Sequence, residues 1–251
     1  MTTEAPAMRI SSILTRDDYE QPRSAENMTE WWLSRHRSFG QTKEGVIYCR
    51  EGKGLSKKFY EEAQPMASLM NAHFSGSSVR CKLLAGTEQA DALLLNGSDR
   101  NSRRVQITFA VDGHAEHLRR RELTRSGHVD AIAKPTISGS GRFRNVTFPE
   151  TMAYNRQTLI AELVSQIEDA VAKKTIKGYD SDFVLVVAFN DSIFDADDAT
   201  AFRMCHRQIS HSFSEVYLIG LHGIIVVPEP VNHKVSVQSG RALSWTGVQI
   251  G

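Results

Sequence analysis

The stretch DALLLNGSDRNSRRVQITFAVDG, residues 91–113, decides the fold of this chain. Two apolar segments, residues 90–96 and 103–111, are joined by the link NGSDRNS, which is rich in turn-forming residues. In the second segment apolar side chains alternate with Gln106 and Thr108, the period expected of a strand with one buried face. The stretch therefore predicts an antiparallel hairpin that begins with an acid, Asp91.

Strands and helices alternate on either side of this hairpin. Residues 79–85 give another strand signal, and residues 182–189 (DFVLVVAF) are apolar nearly throughout, as in a central strand covered on both faces. An apolar stripe with helical spacing runs along residues 156–175. The order is helix, three strands, helix, strand, helix, strand. It predicts an α/β fold with a mixed central sheet flanked by helices.

The first part of the chain is polar and weakly patterned. Residues 1–54 are predicted to be an N-terminal extension with a short helix at 26–39, ahead of a single α/β domain at 55–251. A second helix begins just after residue 55, and Pro65 is expected to interrupt or kink it because proline cannot donate the helical hydrogen bond.

The composition is that of an ordinary globular chain, and it limits the classes of function. The chain has 251 residues, enough to bury a substantial core, with 41% hydrophobic and 24% charged residues. A formal net charge of +1 gives no general attraction to nucleic acid or to an anionic membrane, so any basic surface must be local. The apolar runs are too short to cross a bilayer, and no secretory signal pattern is present. Three scattered cysteines argue against a disulfide framework and favour a reducing cytoplasm.

The order of elements, together with the acid at the start of the hairpin, resembles the PD-(D/E)XK superfamily of restriction-endonuclease-like nucleases. Asp91 matches the acid that opens the second core strand of that family, although Ala90 replaces the proline before it. Gln106 and Thr108 fall where the family prefers an acid and a lysine on the third strand. The resemblance spans about residues 55–190 and implies a restriction-endonuclease-like core with a degenerate active-site motif.

The resemblance also implies roles for individual residues around a Mg²⁺ or Mn²⁺ ion. Asp91 would be the principal metal ligand, Gln106 a neutral second ligand, and Glu62 or Glu61 a further ligand from the first helix. A magnesium ion is usually held by one or two carboxylates, with waters and phosphate oxygens completing its shell. Thr108 cannot supply the cation that would stabilise developing charge, so Lys82 on the neighbouring strand is a candidate substitute for the missing lysine.

Arginines cluster on both sides of the third strand. They are Arg103 and Arg104 before it, and Arg119, Arg120 and Arg121 after it. Arginines placed there could hold phosphates of a nucleic acid irrespective of its sequence. A solvated charged surface is the alternative interpretation of the same cluster.

Two functions stay open on the sequence alone. The first is a metal-dependent DNA endonuclease, which the resemblance places in bacterial defence or mobile-element biology. The second is a catalytically inactive protein of the same fold that serves as a nucleic-acid-binding or assembly subunit, as a homodimer or in a larger protein assembly. The endonuclease is the leading prediction by a small margin, the absent carboxylate and lysine are the best support for the second, and no motif favours an unrelated chemistry in this fold.

Overall fold

Helices and strands follow one another along a chain that the structure, a computed structural model, describes over residues 10–86, 89–97, 102–130, 133–140, 145–149, 155–179 and 181–228. The helical elements are α1 (Ile10–Ile13), α2 (Arg16–Glu20), α3 (Ala25–Gly40), α4 (Lys43–Arg50), α5 (Leu55–Lys58), a π-helical turn (Phe59–Ala63), α6 (Gln64–His73), α7 (Gly113–Ser126), α8 (Arg156–Ile176) and α9 (Ala199–Gln208). The strands are β1 (Val79–Leu83), β2 (Ala92–Asn96), β3 (Ser102–Phe109), β4 (Thr136–Ser138), β5 (Asn145–Thr147), β6 (Phe183–Phe189), β7 (Glu215–Gly220) and β8 (Ile225–Val226).

A mixed β-sheet lies at the centre of the fold. Within the described ranges, six of the strands form it in the order β1-β2-β3-β6-β7-β8, and β4 pairs with β5 separately. β1, β2 and β3 make an antiparallel meander, and β3, β6 and β7 run parallel. The predicted hairpin and the predicted central strand therefore belong to one sheet, and α8 packs against β6 and β3. The expected α/β fold with a mixed sheet flanked by helices is confirmed.

The two faces of the sheet bury two different apolar clusters. On β3, Val105 and Ile107 belong to the cluster that lies under α3 and α6. Gln106 points to the opposite face, where α8 and α9 cover the sheet. Every position of β6 is buried, as expected of a strand with helices on both sides. The alternation seen in the sequence of β3 thus places Gln106 beneath α8.

The helices that precede residue 54 contribute to the first of these clusters. Tyr19, Met28 and Trp32 are among its fully buried members. Helix α4, where the sequence gives only a short apolar stretch, is capped at its N-terminus by Thr42, whose hydroxyl accepts a hydrogen bond from the N–H of Gly45 at 3.0 Å. The N-terminal helices are therefore packed into the same core as the sheet.

Pro65 marks a change in the geometry of the helix that carries two candidate acids. The chain makes a π-helical turn over Phe59–Ala63, closed by a hydrogen bond from the N–H of Gln64 to the carbonyl of Phe59. Helix α6 then begins, with Pro65 in its first turn. The predicted interruption takes the form of this wider turn, which holds Glu61 and Glu62. Turns of this kind within helices are frequent at functional sites.

Candidate functional site

Asp91 lies just before β2 and joins two strands through its main chain and its side chain. Its N–H donates to the carbonyl of Val105 at 2.8 Å, and its carbonyl accepts from the N–H of Leu84 at 2.9 Å. Its Oδ2 accepts a hydrogen bond from the N–H of Ile107 at 2.8 Å. The carboxylate of Asp91 therefore accepts the N–H of Ile107 in place of a main-chain carbonyl, at the point where β2 and β3 separate. This hydrogen bond fixes the position of the carboxylate.

Gln106 is a buried amide whose two ends are both engaged. Only 3% of the residue is exposed, its Nε2 donates to the carbonyl of Gln89, and its Oε1 accepts from Nζ of Lys174 at 2.7 Å. Lys174 comes from the last turns of α8. Burial lowers the pKa of Lys174, while the charges of Asp91 and Glu62 oppose that effect. The ammonium group of Lys174 is thus held against β3, where it interacts electrostatically with Asp91 and Glu62.

Glu62, on the π-helical turn, is a half-buried acid. Its carboxylate accepts from Nζ of Lys58 at 3.1 and 3.3 Å and from the hydroxyl of Tyr19 at 3.0 Å. Burial, and then the charge of Asp91, raise the pKa of Glu62 to about 7 against the opposing effect of Lys58. The carboxylates of Glu62 and Asp91 therefore repel one another, and the charges of Lys58 and Lys174 attract Glu62.

Five side chains thus form one group, which we call the carboxylate–lysine cluster: Lys58, Glu62, Asp91, Gln106 and Lys174. Three of them were candidates in the sequence. Direct contacts join Lys58 to Glu62 and Lys174 to Gln106, and electrostatic interactions link Glu62 and Lys174 to Asp91.

Three other candidate residues lie apart from the cluster. Glu61 turns toward α7, where its carboxylate accepts from Arg120 at 2.9 Å. Lys82 lines a shallow depression beside α2, and its charge acts on Glu20 there. Thr108 is half-buried on the same strand as Gln106, two residues further along, and its register partner is Val187 of β6.

The candidate nucleic-acid-binding arginines are mostly engaged with carboxylates of this chain. Arg103 pairs with Glu215 at 2.8 Å and Arg104 with Asp182 at 3.1 Å. On α7, Arg119 and Arg120 both pair with Glu116, at 2.5 and 3.0 Å, and Arg121 is exposed. The pairs of Arg103 and Arg104 are partly exposed, and exposed ion pairs contribute little to stability. Phosphate groups could therefore compete for these arginines at small cost.

The donors of the carboxylate–lysine cluster fit a divalent cation that is weakly held. Asp91 and Glu62 supply carboxylate oxygens and Gln106 a neutral oxygen, which are the hard ligands that Mg²⁺ and Mn²⁺ accept. Burial and then the charge of Asp91 raise the pKa of Glu62, and a cation bound by the two acids would relieve their repulsion. No group of three His, Cys, Asp or Glu side chains placed to hold a metal is found in the described part of the chain.

Sequence reasoning missed Lys174, although a signal for it exists. Leu163, Ile167, Ala170 and Val171 are the buried residues of α8. Lys174 follows Val171 by three positions and Ala170 by four, so it continues their stripe on the same face of the helix. A lysine on the apolar side of a helix needs a polar partner, and Gln106 is that partner. Neither Lys58 nor Tyr19 has a comparable signal in the sequence.

Glu62 leads to a prediction for stability against pH. Burial raises the pKa of its carboxyl to about 7 in the folded chain, from the ordinary value of 4.5 that applies in the unfolded chain. The folded chain therefore holds the proton more tightly. The stabilisation that this proton gives is complete below pH 4.5 and is lost as the pH rises through 7. We expect wild type to lose roughly 2 kcal/mol more free energy of unfolding between about pH 5 and pH 8 than Glu62→Gln. Urea unfolding with a chelator present measures this difference.

The neighbouring glutamate provides the control for this experiment. Glu61→Gln removes a carboxylate that pairs with Arg120 at the surface, so this variant should keep the pH dependence of wild type. Parallel stability curves for wild type and Glu62→Gln would contradict the prediction.

The arrangement combines two acids, an oriented amide and a half-buried lysine near the end of a hairpin, and this set can bind a cation and stabilise negative charge. Helices that could cross a membrane are absent from the part of the chain that the structure describes. Comparisons with protein-family models, with curated proteins and with solved structures found no match to this chain. Any assignment of function therefore depends on the chemistry of the cluster.

Proposed function

We propose that this protein is a metal-dependent endonuclease that hydrolyses phosphodiester bonds in DNA, built on a restriction-endonuclease-like core. The observation that carries the proposal is Lys174, whose ammonium lies 2.7 Å from Oε1 of Gln106 and interacts electrostatically with Asp91 and Glu62. The third strand lacks the lysine that the resemblance implies, and Lys174 of α8 would supply an ammonium group beside Gln106 in its place. The order of a helix, a three-stranded meander, a helix and a strand supports the choice of core.

The proposed chemistry divides the cluster by charge. A bound Mg²⁺ or Mn²⁺ ion would polarise the phosphate and lower the pKa of an attacking water. Asp91 and Glu62 would hold that ion, and the amide oxygen of Gln106 would add a neutral ligand. Lys174 would stabilise the negative charge that develops on the phosphate during attack. Its short contact to Gln106 keeps it oriented before substrate binds.

DNA is the proposed partner of the arginines around β3 and α7. The side chains of Arg103 and Arg104 are 40% and 39% exposed, and of their partners Glu215 is half-buried and Asp182 exposed. Contacts from such arginines to phosphates would position a nucleic acid without reading its sequence. They would also make binding weaken as the salt concentration rises, because bound counterions are released from the nucleic acid.

A second candidate function has one observation in its favour. The described residues hold no three-ligand group for a metal, since Gln106 is an amide where the family has an acid. A catalytically inactive subunit that binds nucleic acid or assembles with other proteins would need no such group. In that function Lys174 would serve to satisfy the buried amide.

Calorimetric titration with Mn²⁺ tests the proposed function. Asp91→Asn removes the charge but keeps an oxygen that can accept from the N–H of Ile107, so it should fold. We expect wild type to bind Mn²⁺ and to cleave DNA more efficiently with Mn²⁺ than with Mg²⁺. Asp91→Asn should lose both Mn²⁺ binding and cleavage. Asp195→Ala, at an exposed acid that pairs with Arg156, is the control and should behave as wild type.

The outcomes separate the two candidates. Mn²⁺ binding that is absent from wild type, or equal in Asp91→Asn, would refute the metal site. Binding that depends on Asp91 without cleavage of single- or double-stranded DNA or RNA would favour the inactive subunit.

A further inference from the structure

Tyr19 is a buried tyrosine whose hydroxyl reaches the carboxylate–lysine cluster from the N-terminal helices. None of the residue is exposed, and its ring packs edge-on against Trp31 with the centroids 6.3 Å apart. The hydroxyl oxygen lies 3.0 Å from Oε2 of Glu62 and 3.4 Å from the carbonyl of Lys58. A phenol has a single proton to donate, and the nearer, charged carboxylate is the better acceptor. The proton is therefore directed at Glu62.

Helix α2, which carries Tyr19, is itself firmly anchored. The carboxylate of Asp18 accepts from Arg35 at 2.9 Å, from the indole of Trp31 at 3.0 Å and from Arg23 at 3.0 Å. These donors come from α3 and from the segment that bridges to β1. These contacts of Asp18 hold α2 in place and thereby help to set the position of the Tyr19 hydroxyl.

The same helix also supports the segment that leads to Asp91. Oε1 of Glu20 accepts from the N–H of Ala85 at 3.0 Å. The preceding residue, Leu84, donates its N–H to the carbonyl of Asp91 at 2.9 Å and accepts from Lys58 at 3.2 Å. Two adjacent residues of α2 therefore lead to both acids of the cluster, directly to Glu62 and through the end of β1 to Asp91.

We infer that Tyr19 is a positioning residue that holds the carboxylate of Glu62 in the orientation needed to bind a divalent cation together with Asp91. The inference rests on the proposed function, because Glu62 is a metal ligand only there. Lys58 contacts both oxygens of Glu62, whereas Tyr19 contacts one, so the phenol selects the rotation of the carboxylate. The N-terminal helices, which have no place in the family resemblance, then form part of the site.

A matched pair of tyrosine variants tests the inference. Tyr19→Phe removes only the hydroxyl and keeps the ring packing. Tyr217→Phe does the same to another buried tyrosine, whose hydroxyl donates to Glu215 at 2.5 Å away from the cluster. We expect Tyr19→Phe to raise the dissociation constant for Mn²⁺ about tenfold, measured from the free-ion signal in electron paramagnetic resonance. Tyr217→Phe should bind Mn²⁺ as wild type does.

A double-mutant cycle distinguishes positioning from a general loss of structure. In a Glu62→Gln background the further change Tyr19→Phe should have little effect on Mn²⁺ affinity, because the carboxylate that it orients has gone. Equal weakening in the two tyrosine variants, an unchanged affinity in Tyr19→Phe, or the same tenfold loss in the Glu62→Gln background would each overturn the inference while leaving the proposed function intact. Absence of Asp91-dependent Mn²⁺ binding in wild type would overturn both.

Discussion

Lys174→Met should lower kcat for Mn²⁺-dependent cleavage of DNA by about 10²- to 10³-fold while Mn²⁺ binding is retained or strengthened. The ammonium of Lys174 lies 2.7 Å from Oε1 of Gln106, and the change to methionine removes this positive charge. A cation that meets charge only in the transition state affects the chemical step more than the binding of substrate. Single-turnover cleavage with saturating Mn²⁺, beside a Mn²⁺ titration, separates the two effects.

The adjacent lysine is the matched control for this change. Lys173 is exposed on the outer side of α8, so Lys173→Met removes the same charge from the same helix without touching the cluster. It should leave cleavage close to that of wild type. A folded Lys174→Met variant that cleaves DNA at the wild-type rate would show that the lysine has no part in the chemistry.

Gln106→Glu should tighten Mn²⁺ binding by about an order of magnitude, because it supplies the missing carboxylate. The new acid would face Lys174, whose charge compensates part of the cost of burying it. The variant loses the donation from Nε2 to the carbonyl of Gln89, so we expect a modest loss of stability. Cleavage should rise with the affinity for the metal, and calorimetry and a cleavage assay on the same preparation test both.

Gln106→Met gives the opposite change at the same position. Methionine has a similar size and lacks the oxygen, so we expect weaker Mn²⁺ binding than in wild type. An increase in affinity in the order methionine, glutamine, glutamate would establish that residue 106 contacts the ion. A folded Gln106→Glu variant with the affinity of wild type would remove residue 106 from the metal site.

The sheet could be predicted from the sequence because its strands have local patterns. The alternation along β3 and the unbroken apolar run of β6 each identify a strand and the number of its buried faces. The turn-rich link between β2 and β3 identifies their antiparallel pairing. Each of these signals lies within a few residues, so no knowledge of the tertiary packing is needed.

The composition of the carboxylate–lysine cluster could be predicted only in part, because it depends on how helices dock. The contact of Lys174 with Gln106 joins residues 68 apart in the chain, and that of Tyr19 with Glu62 joins residues 43 apart. The choice between Glu61 and Glu62 depends on the rotation of the turn that carries them, which a regular helical repeat does not give. Lys82 was a candidate because it lies on the neighbouring strand, and no local pattern placed it beside α2.

The π-helical turn also limits how the length of this chain can vary. A turn closed from residue i to i+5 takes in one residue more than an α-helical turn, and in an α-helix each residue adds about 100° of rotation. Loss of one residue from Phe59–Ala63 would convert the turn to regular helix and rotate α5 relative to α6 by about that angle. Glu61 and Glu62 would then lose their present partners, Arg120 of α7 and Tyr19 of α2. A related sequence with a one-residue gap here would therefore direct the side chain at position 62 elsewhere, even if it keeps the glutamate.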